Sequence, residues 1–248
     1  MYERQAIIER VRRISPTLQR LDLAVEAVQK GVRPGQLFLV RAIESLDPYL
    51  REPWTPIRVE GRAITVERPA ITTYVPGQVI SILGPVGKPI ALREATQSLL
   101  LLACESTPSA LLYLAETAIG KGMVVTLVLL GAARSYPLDA LPEEMEIVRG
   151  ETHKLVWPER ERIIRWADHI VAVAPPPFDL PFYADLLALI RKVRLDAAPG
   201  YAVGLFQPPM PCGVGACGAC LIRRQGGEVT ACIEGPAFDL TEIEGAIR

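Results

Sequence analysis

The reading of this chain turns on PMPCGVGACGACLIRRQGGEVTACIEGP, residues Pro209 to Pro236. Four of the five cysteines fall here: Cys212, Cys217, Cys220 and Cys232. Their spacing is C-x4-C-x2-C, then eleven residues, then C. Gly213, Gly215 and Gly218 lie among the first three sulfurs, where backbone of positive φ lets N–H groups approach an anionic centre. Beyond them, LIRRQGGEVTAC has the pattern of a short hairpin with Gly226-Gly227 as its turn. That hairpin is expected to fold Cys232 back beside Cys220, as a site of four thiolates requires.

Several chemistries use clustered cysteines. The C-x4-C-x2-C spacing matches the plant-type pattern, a tight loop around a [2Fe-2S] cluster. Structural zinc sites usually present two C-x2-C pairs, and only Cys217 and Cys220 are so spaced. Disulfide frameworks belong to short secreted chains; this one has 248 residues, and no leading apolar signal segment is read in it. A Rieske centre needs two histidines beside two cysteines, and the only ones, His153 and His169, lie far upstream. The iron–sulfur reading is preferred, with zinc and redox thiols kept as alternatives. Cys104 closes the apolar run LLLLAC and reads as a buried small hydrophobe.

Half of the residues are hydrophobic, enough to bury more than one core. A formal net charge of −1 gives no electrostatic footprint for nucleic acid. The longest apolar stretch, MVVTLVLLGAA, is about half of a membrane span and reads as a buried parallel strand. A cytoplasmic location is the expectation, and it suits a thiolate-bound cluster.

Residues 1 to 94 read as β. QAIIERVRRI, LQRLDLAV, GQLFLVRA, AITVER and QVISIL are short, partly alternating and punctuated by turn residues, which predicts a small antiparallel barrel. Residues 95 to 206 change rhythm. Buried strands SLLLLAC, MVVTLVLLG, MEIVRG, HIVAVA and YAVGLF alternate with helices SALLYLAETAIGKG and PFYADLLALIRKV. Thr107 is the expected N-cap of the first helix, with Pro108 in its first turn. This alternation predicts a Rossmann-like α/β sheet. Residues 207 to 248 form the cysteine module, expected as a C-terminal appendage. The fold class is thus α+β and multidomain: antiparallel β-barrel, α/β sheet, [2Fe-2S] module.

At CGVGACGAC (212–220) and CIEGPAFDL (232–240) the chain resembles the electron-transfer subunits of heterotetrameric dihydroorotate dehydrogenase, in the ferredoxin-reductase-like superfamily. GQLFLVRA (35–42) and QVISILGPVGKP (78–89) resemble the barrel segments of that family. The resemblance implies FAD on the barrel and one cluster at the C-terminal end, held by Cys212, Cys217, Cys220 and Cys232. It also implies a hetero-oligomer with a flavin-bearing catalytic dehydrogenase subunit in pyrimidine biosynthesis. Electrons would pass from that partner's FMN through the cluster and FAD to NAD.

The family's flavin segment is Arg-Pro-x-Ser; the nearest match is Arg51-Glu52-Pro53-Trp54-Thr55. The resemblance assigns Arg51 to the flavin pyrophosphate, Trp54 to stack on a ring, and Thr55, beside Pro53, to donate to the polar edge. Glu52 stands where the motif has arginine, so Arg51 or Arg58 must supply the charge. A proline-rich edge segment with a surface Arg–Glu pair is the alternative. A second flavin segment corresponds to PAITTYV, with Thr72 and Thr73 but no glycine.

The nicotinamide site departs further. The first βα turn should be glycine-rich so that amides reach the phosphates. Here it reads ACESTPSA, with Glu105 and Pro108 and no glycine. The later turn reads AVAPPPFDLPF, without the family's Cys-Gly-Pro. A sheet kept as a scaffold is the favoured reading, with electrons passing to NAD or another carrier. No catalytic constellation appears. His153 and His169 read as surface or strand-end residues, Glu143, Glu144 and Glu146 as a solvated run, and Trp157 and Trp166 as packing residues. Two other functions remain. One is an electron-transfer subunit of a different redox enzyme that has lost NAD binding. The other is a non-catalytic assembly subunit stabilised by metal.

Overall fold

A computed structural model describes residues 2–25, 31–43, 49–93, 95–195 and 197–243. Residues 94 and 244–248, which fall within the expected barrel and cysteine-module spans, lie outside the described residues.

Seven strands come first: β1 (Tyr2–Arg13), β2 (Leu18–Val25), β3 (Leu37–Ala42), β4 (Glu52–Trp54), β5 (Pro56–Glu60), β6 (Ala63–Pro69) and β7 (Val79–Val86). They form one antiparallel sheet in the order β4-β3-β7-β1-β2-β6-β5. The two edge strands, β4 and β5, are joined in sequence by Thr55 alone. A single residue can bridge them only if the sheet curls until its edges meet, so the barrel is nearly closed. Ile8, Leu21, Leu23, Phe38, Val40, Trp54, Ile64, Ile80 and Ile82 fill it. The sequence reading missed β4 and β5. They are short, and Pro53 and Pro56 mask their strand character, although edge strands tolerate proline.

The second sheet contains β8 (Ser98–Cys104), β9 (Val124–Leu130), β10 (Glu146–Gly150), β11 (His169–Val173) and β12 (Ala202–Leu205), all parallel, in the order β10-β9-β8-β11-β12. Alternate residues of β8 face opposite ways. Leu99, Leu101 and Ala103 pack with α1 (Ser109–Ile119). Leu100, Leu102 and Cys104 share a core with α2 (Arg160–Trp166) and α3 (Asp179–Val193). Burial on both faces explains the unbroken apolar runs. Thr107 does not cap α1: Pro108 holds that position, and the Thr107 hydroxyl lies 2.7 Å from that of Ser109. His169 is buried rather than surface-exposed, 1 % accessible at the start of β11. The tight packing of that strand leaves no room to turn its ring outward.

The last segment holds β13 (Leu221–Arg224), β14 (Gly227–Thr230), α4 (Ala231–Glu234), β15 (Ala237–Asp239) and α5 (Leu240–Ile243). The β13–β14 hairpin forms, but Arg224 pairs with Gly227, so its turn is Gln225-Gly226. Gly226 and Gly227 take φ +90° and +134°, so both glycines are used, while Gln225 keeps an ordinary φ. The module is not an appendage. β15 pairs antiparallel with β12, and Phe238, Leu240 and Ile243 enter the α/β core.

Candidate cluster and flavin site

The loop from Cys212 to Cys217 bends around sulfur. Gly213, Gly215 and Gly218 sit at φ +67°, +73° and +69°, a left-handed region that side chains disfavour. The bends turn successive amides inward. Val214, Ala216 and Cys217 direct N–H groups at the Cys212 sulfur. Gly215 donates to Cys232 Sγ at 3.2 Å. The amides, that of Val214 foremost, hold the Cys212 thiol down to about 6, whereas burial pushes the Cys232 thiol up to about 11.

The hairpin brings the other pair together. Ala231 N–H donates to the Cys220 carbonyl at 2.9 Å, closing the base of β13–β14, and Cys232 follows on α4. The thiols then stand two by two: Cys212 contacts Cys217, Cys220 contacts Cys232, and Cys232 also feels the charge of Cys212. Among the described residues, no three Cys, His, Asp or Glu side chains converge as one metal ion would require. Two pairs of sulfur suit a centre of two irons, each taking two thiolates and sharing bridging sulfides. The inward amides suit its negative charge. Cys217 is exposed, Cys212 half-buried, and Cys220 and Cys232 buried. Val214, Leu221 and Ile233 give that face an exposed apolar rim.

The barrel grips this module directly. Gly87 and Lys88, just after β7, donate backbone N–H groups to the carbonyls of Cys232 (3.1 Å) and Gly235 (2.5 Å), and Lys88 Nζ pairs with Glu234 at 2.6 Å.

Beside this clasp lies a cleft of about 60 Å³ where all three parts meet. Gly35, Leu37, Pro53 and Thr55 line it from the barrel, Leu205, Phe206 and Gln207 from the end of β12 and just past it, and Pro236 from the cysteine module. It is smaller than the hundreds of Å³ usual for cofactor clefts, so it can seat the edge of a ring rather than the whole. Of the sequence-expected flavin residues, the structure brings Pro53 and Thr55 here. Arg51 donates to Leu39 O (3.3 Å), Ser81 O (3.2 Å) and Glu3 (2.5 Å). Its guanidinium is thus held against the β3–β7 pair by Leu39, Ser81 and Glu3. Trp54 is 2 % exposed, edge-on to Tyr74, and is core rather than a stacking platform. Thr72 and Thr73 are exposed beyond β6, and Thr72 O accepts from Gln19. Glu52 pairs with Arg68 at 2.5 Å, and the Arg68 guanidinium lies over Trp54. Sequence reading missed Arg68 and Gln207, since neither belongs to a motif.

The first βα turn is occupied by a carboxylate from the barrel. Glu67, with a fully buried side chain, accepts from Arg20 (2.8 Å), Tyr136 (2.7 Å) and Ser109 (2.5 Å) at the start of α1. Its charge is matched by Arg20, and burial beside it pushes the Tyr136 hydroxyl up. His153 is exposed.

Residues 207–244 match the family described as the iron–sulfur cluster binding domain of dihydroorotate dehydrogenase B. At 25 % identity, 98 % of the chain aligns with 99 % of the dihydroorotate dehydrogenase B (NAD(+)) electron transfer subunit of Geobacillus sp. (strain WCH70). Coverage is the same at 24 % identity for that subunit of Bacillus cereus (strain Q1). The chain is similar over nearly its whole length to electron-transfer subunits of dihydroorotate dehydrogenase B. Among solved structures, an NADH-dependent reduced ferredoxin-NADP oxidoreductase aligns with TM-score 0.73 and 20 % identity, over 96 % of this chain and 88 % of its own. Phthalate dioxygenase reductase aligns with TM-score 0.62 and 11 % identity, over 92 % and 93 %. These two likenesses establish a ferredoxin-reductase-like fold. No helix among the described residues is long and apolar enough to cross a membrane.

Proposed function

We propose that this chain is the electron-transfer subunit of a heteromeric dehydrogenase of the dihydroorotate type. In this reading Cys212, Cys217, Cys220 and Cys232 hold a [2Fe-2S] cluster, and FAD lies against Pro53, Thr55, Phe206 and Gln207. The observation that carries it is the two-by-two approach of four thiols beside one amide-lined loop. When bound, a flavin exchanges electrons singly or in pairs and the cluster singly, which converts two-electron chemistry into one-electron steps. The chain's own residues seat and insulate. Amides of residues 214–217 offset negative charge, Gly87 and Lys88 fix the Cys232 segment against the barrel, and the apolar rim around Cys217 offers a dry landing face.

Dihydroorotate oxidation falls to a flavin-bearing partner, because no base stands at either site among the described residues. The setting is pyrimidine biosynthesis in the cytoplasm, and the far end of the relay is NAD or another carrier. The carboxylates at the first βα turn favour the second of these.

The test is anaerobic purification, with iron, sulfide, zinc and released flavin assayed on one sample. About two irons and two sulfides per chain, with flavin, are expected. One zinc without sulfide would instead identify a metal-stabilised assembly subunit.

A further inference from the structure

In a parallel sheet the carboxyl ends of the strands, near the point where strand order reverses, form a crevice where loop amides gather and anions bind. Here that reversal falls between β8 and β11. On the β9 side of that point the ends of β8, β9 and β10 meet on one group, the Glu105 carboxylate.

Glu105 is the first residue after β8 and takes φ +54°, a left-handed conformation sterically unfavourable for any residue with a Cβ. Its N–H donates to Leu130 O at the end of β9 (3.1 Å). Its side chain turns back over the sheet. Oε2 accepts from the Ala132 amide at 3.0 Å, just beyond β9, and Oε1 accepts from the Thr152 hydroxyl, just beyond β10. Gly131, at φ +57°, forms the floor: a Cβ there would stand 2.0 Å from Glu105 Oε1. The cradle is therefore one glycine-floored space with an amide and a hydroxyl aimed into it, filled by a tethered anion. Ser106, next in the same turn, has a buried hydroxyl with no partner among the described residues.

We propose that Glu105 is an internal plug: its carboxylate occupies an anion cradle of the α/β sheet and keeps a nucleotide phosphate out of it. An uncharged or shortened residue at 105 frees the donors of Ala132 and Thr152 for a phosphate group. The unfavourable backbone at Glu105 is held by the contacts the carboxylate makes. This assignment holds whether or not the four thiols bind iron, and cluster absorbance recorded alongside reports separately on the relay.

The experiment titrates the full chain with ADP by calorimetry, and with inorganic phosphate as a second probe. Glu105→Gly suits the positive φ, and Glu105→Asn, which also tolerates it, is measured in parallel should the first variant fold poorly. At least a tenfold gain in ADP affinity over wild type is expected in the folded variants. Adding Thr152→Val to Glu105→Gly should cancel most of that gain. Wild type binding ADP as tightly as the folded variants overturns the proposal. A gain that survives Thr152→Val in full overturns the assignment of the cradle.

Discussion

The amide of Gly87 donates to the carbonyl of Cys232 at 3.1 Å, so the last barrel strand holds one of the four clustered cysteines by its backbone. Gly87 adopts φ +85°, and a Cβ there would stand 2.7 Å from Gly235 O and 2.8 Å from Pro236 Cδ. Both neighbours are rigid. Gly87→Ala should cost about 2–4 kcal/mol, from left-handed strain plus overpacking. Denaturant unfolding measures the loss. Cluster loss should also quicken, read as faster bleaching of visible absorbance in the variant than in wild type.

Cys217 is the exposed member of the thiol group. Cys217→Ser should abolish the visible iron–sulfur absorbance and lower iron to a small fraction of wild type. The change removes no buried surface, so far-UV circular dichroism should keep the α/β signature. Undiminished absorbance in this variant would sink the assignment of the ligands.

Arg20 and Glu67 form a buried ion pair that joins the barrel to α1, completed by Tyr136 and Ser109. Arg20→Met leaves the Glu67 carboxylate buried without its counter-charge. The expected loss is about 3–5 kcal/mol, as for other broken buried pairs. Double replacement with Glu67→Leu should recover much of it, and a double-mutant cycle in urea checks this.

His169 is buried with both ring nitrogens unpartnered among the described residues. Burial, with Arg93 adding to it, lowers its pKa from 6.5 to about 4. The folded state therefore holds the neutral ring, and its stability contribution is intact above pH 6.5. Stability falls as pH drops from 6.5 towards 4, because only the unfolded chain takes up the proton. The gap corresponds to about 3 kcal/mol. Wild type should lose that much more than His169→Leu between pH 7 and pH 4, measured by denaturant melts at each pH.

Much of this architecture is legible in sequence where burial writes a simple pattern. SLLLLAC and MVVTLVLLG are apolar throughout because both faces of β8 and β9 are covered. LQRLDLAV alternates because β2 has one covered face, and it spans Leu18–Val25 as read. The cysteine spacing and its glycines declare a tight loop, and the loop bends at those glycines. What escapes is the choice of partner across long sequence separations. In the alternative reading of the flavin segment, Arg51 and Glu52 form one surface pair. Instead Arg51 reaches Glu3, 48 residues away, and Glu52 is taken by Arg68. Pattern alone does not specify which of several carboxylates a guanidinium meets once the sheet curls. The same holds for Ser109, which bonds Glu67, 42 residues away, while Pro108 rather than Thr107 holds the cap position. Thr55 looked like the tail of a motif, and its larger role as the single link between β4 and β5 appears only with the strand order.

The pairing of β15 with β12 has a consequence for how such chains survive in a cell. A polypeptide whose last segment has not docked would leave the outer edge of the Ala202–Leu205 strand with bare N–H and C=O groups. That is a template for sticking to other nascent copies. Docking of β15 would then act as quality control, separating molecules that can be stored from those bound for aggregation or proteolysis.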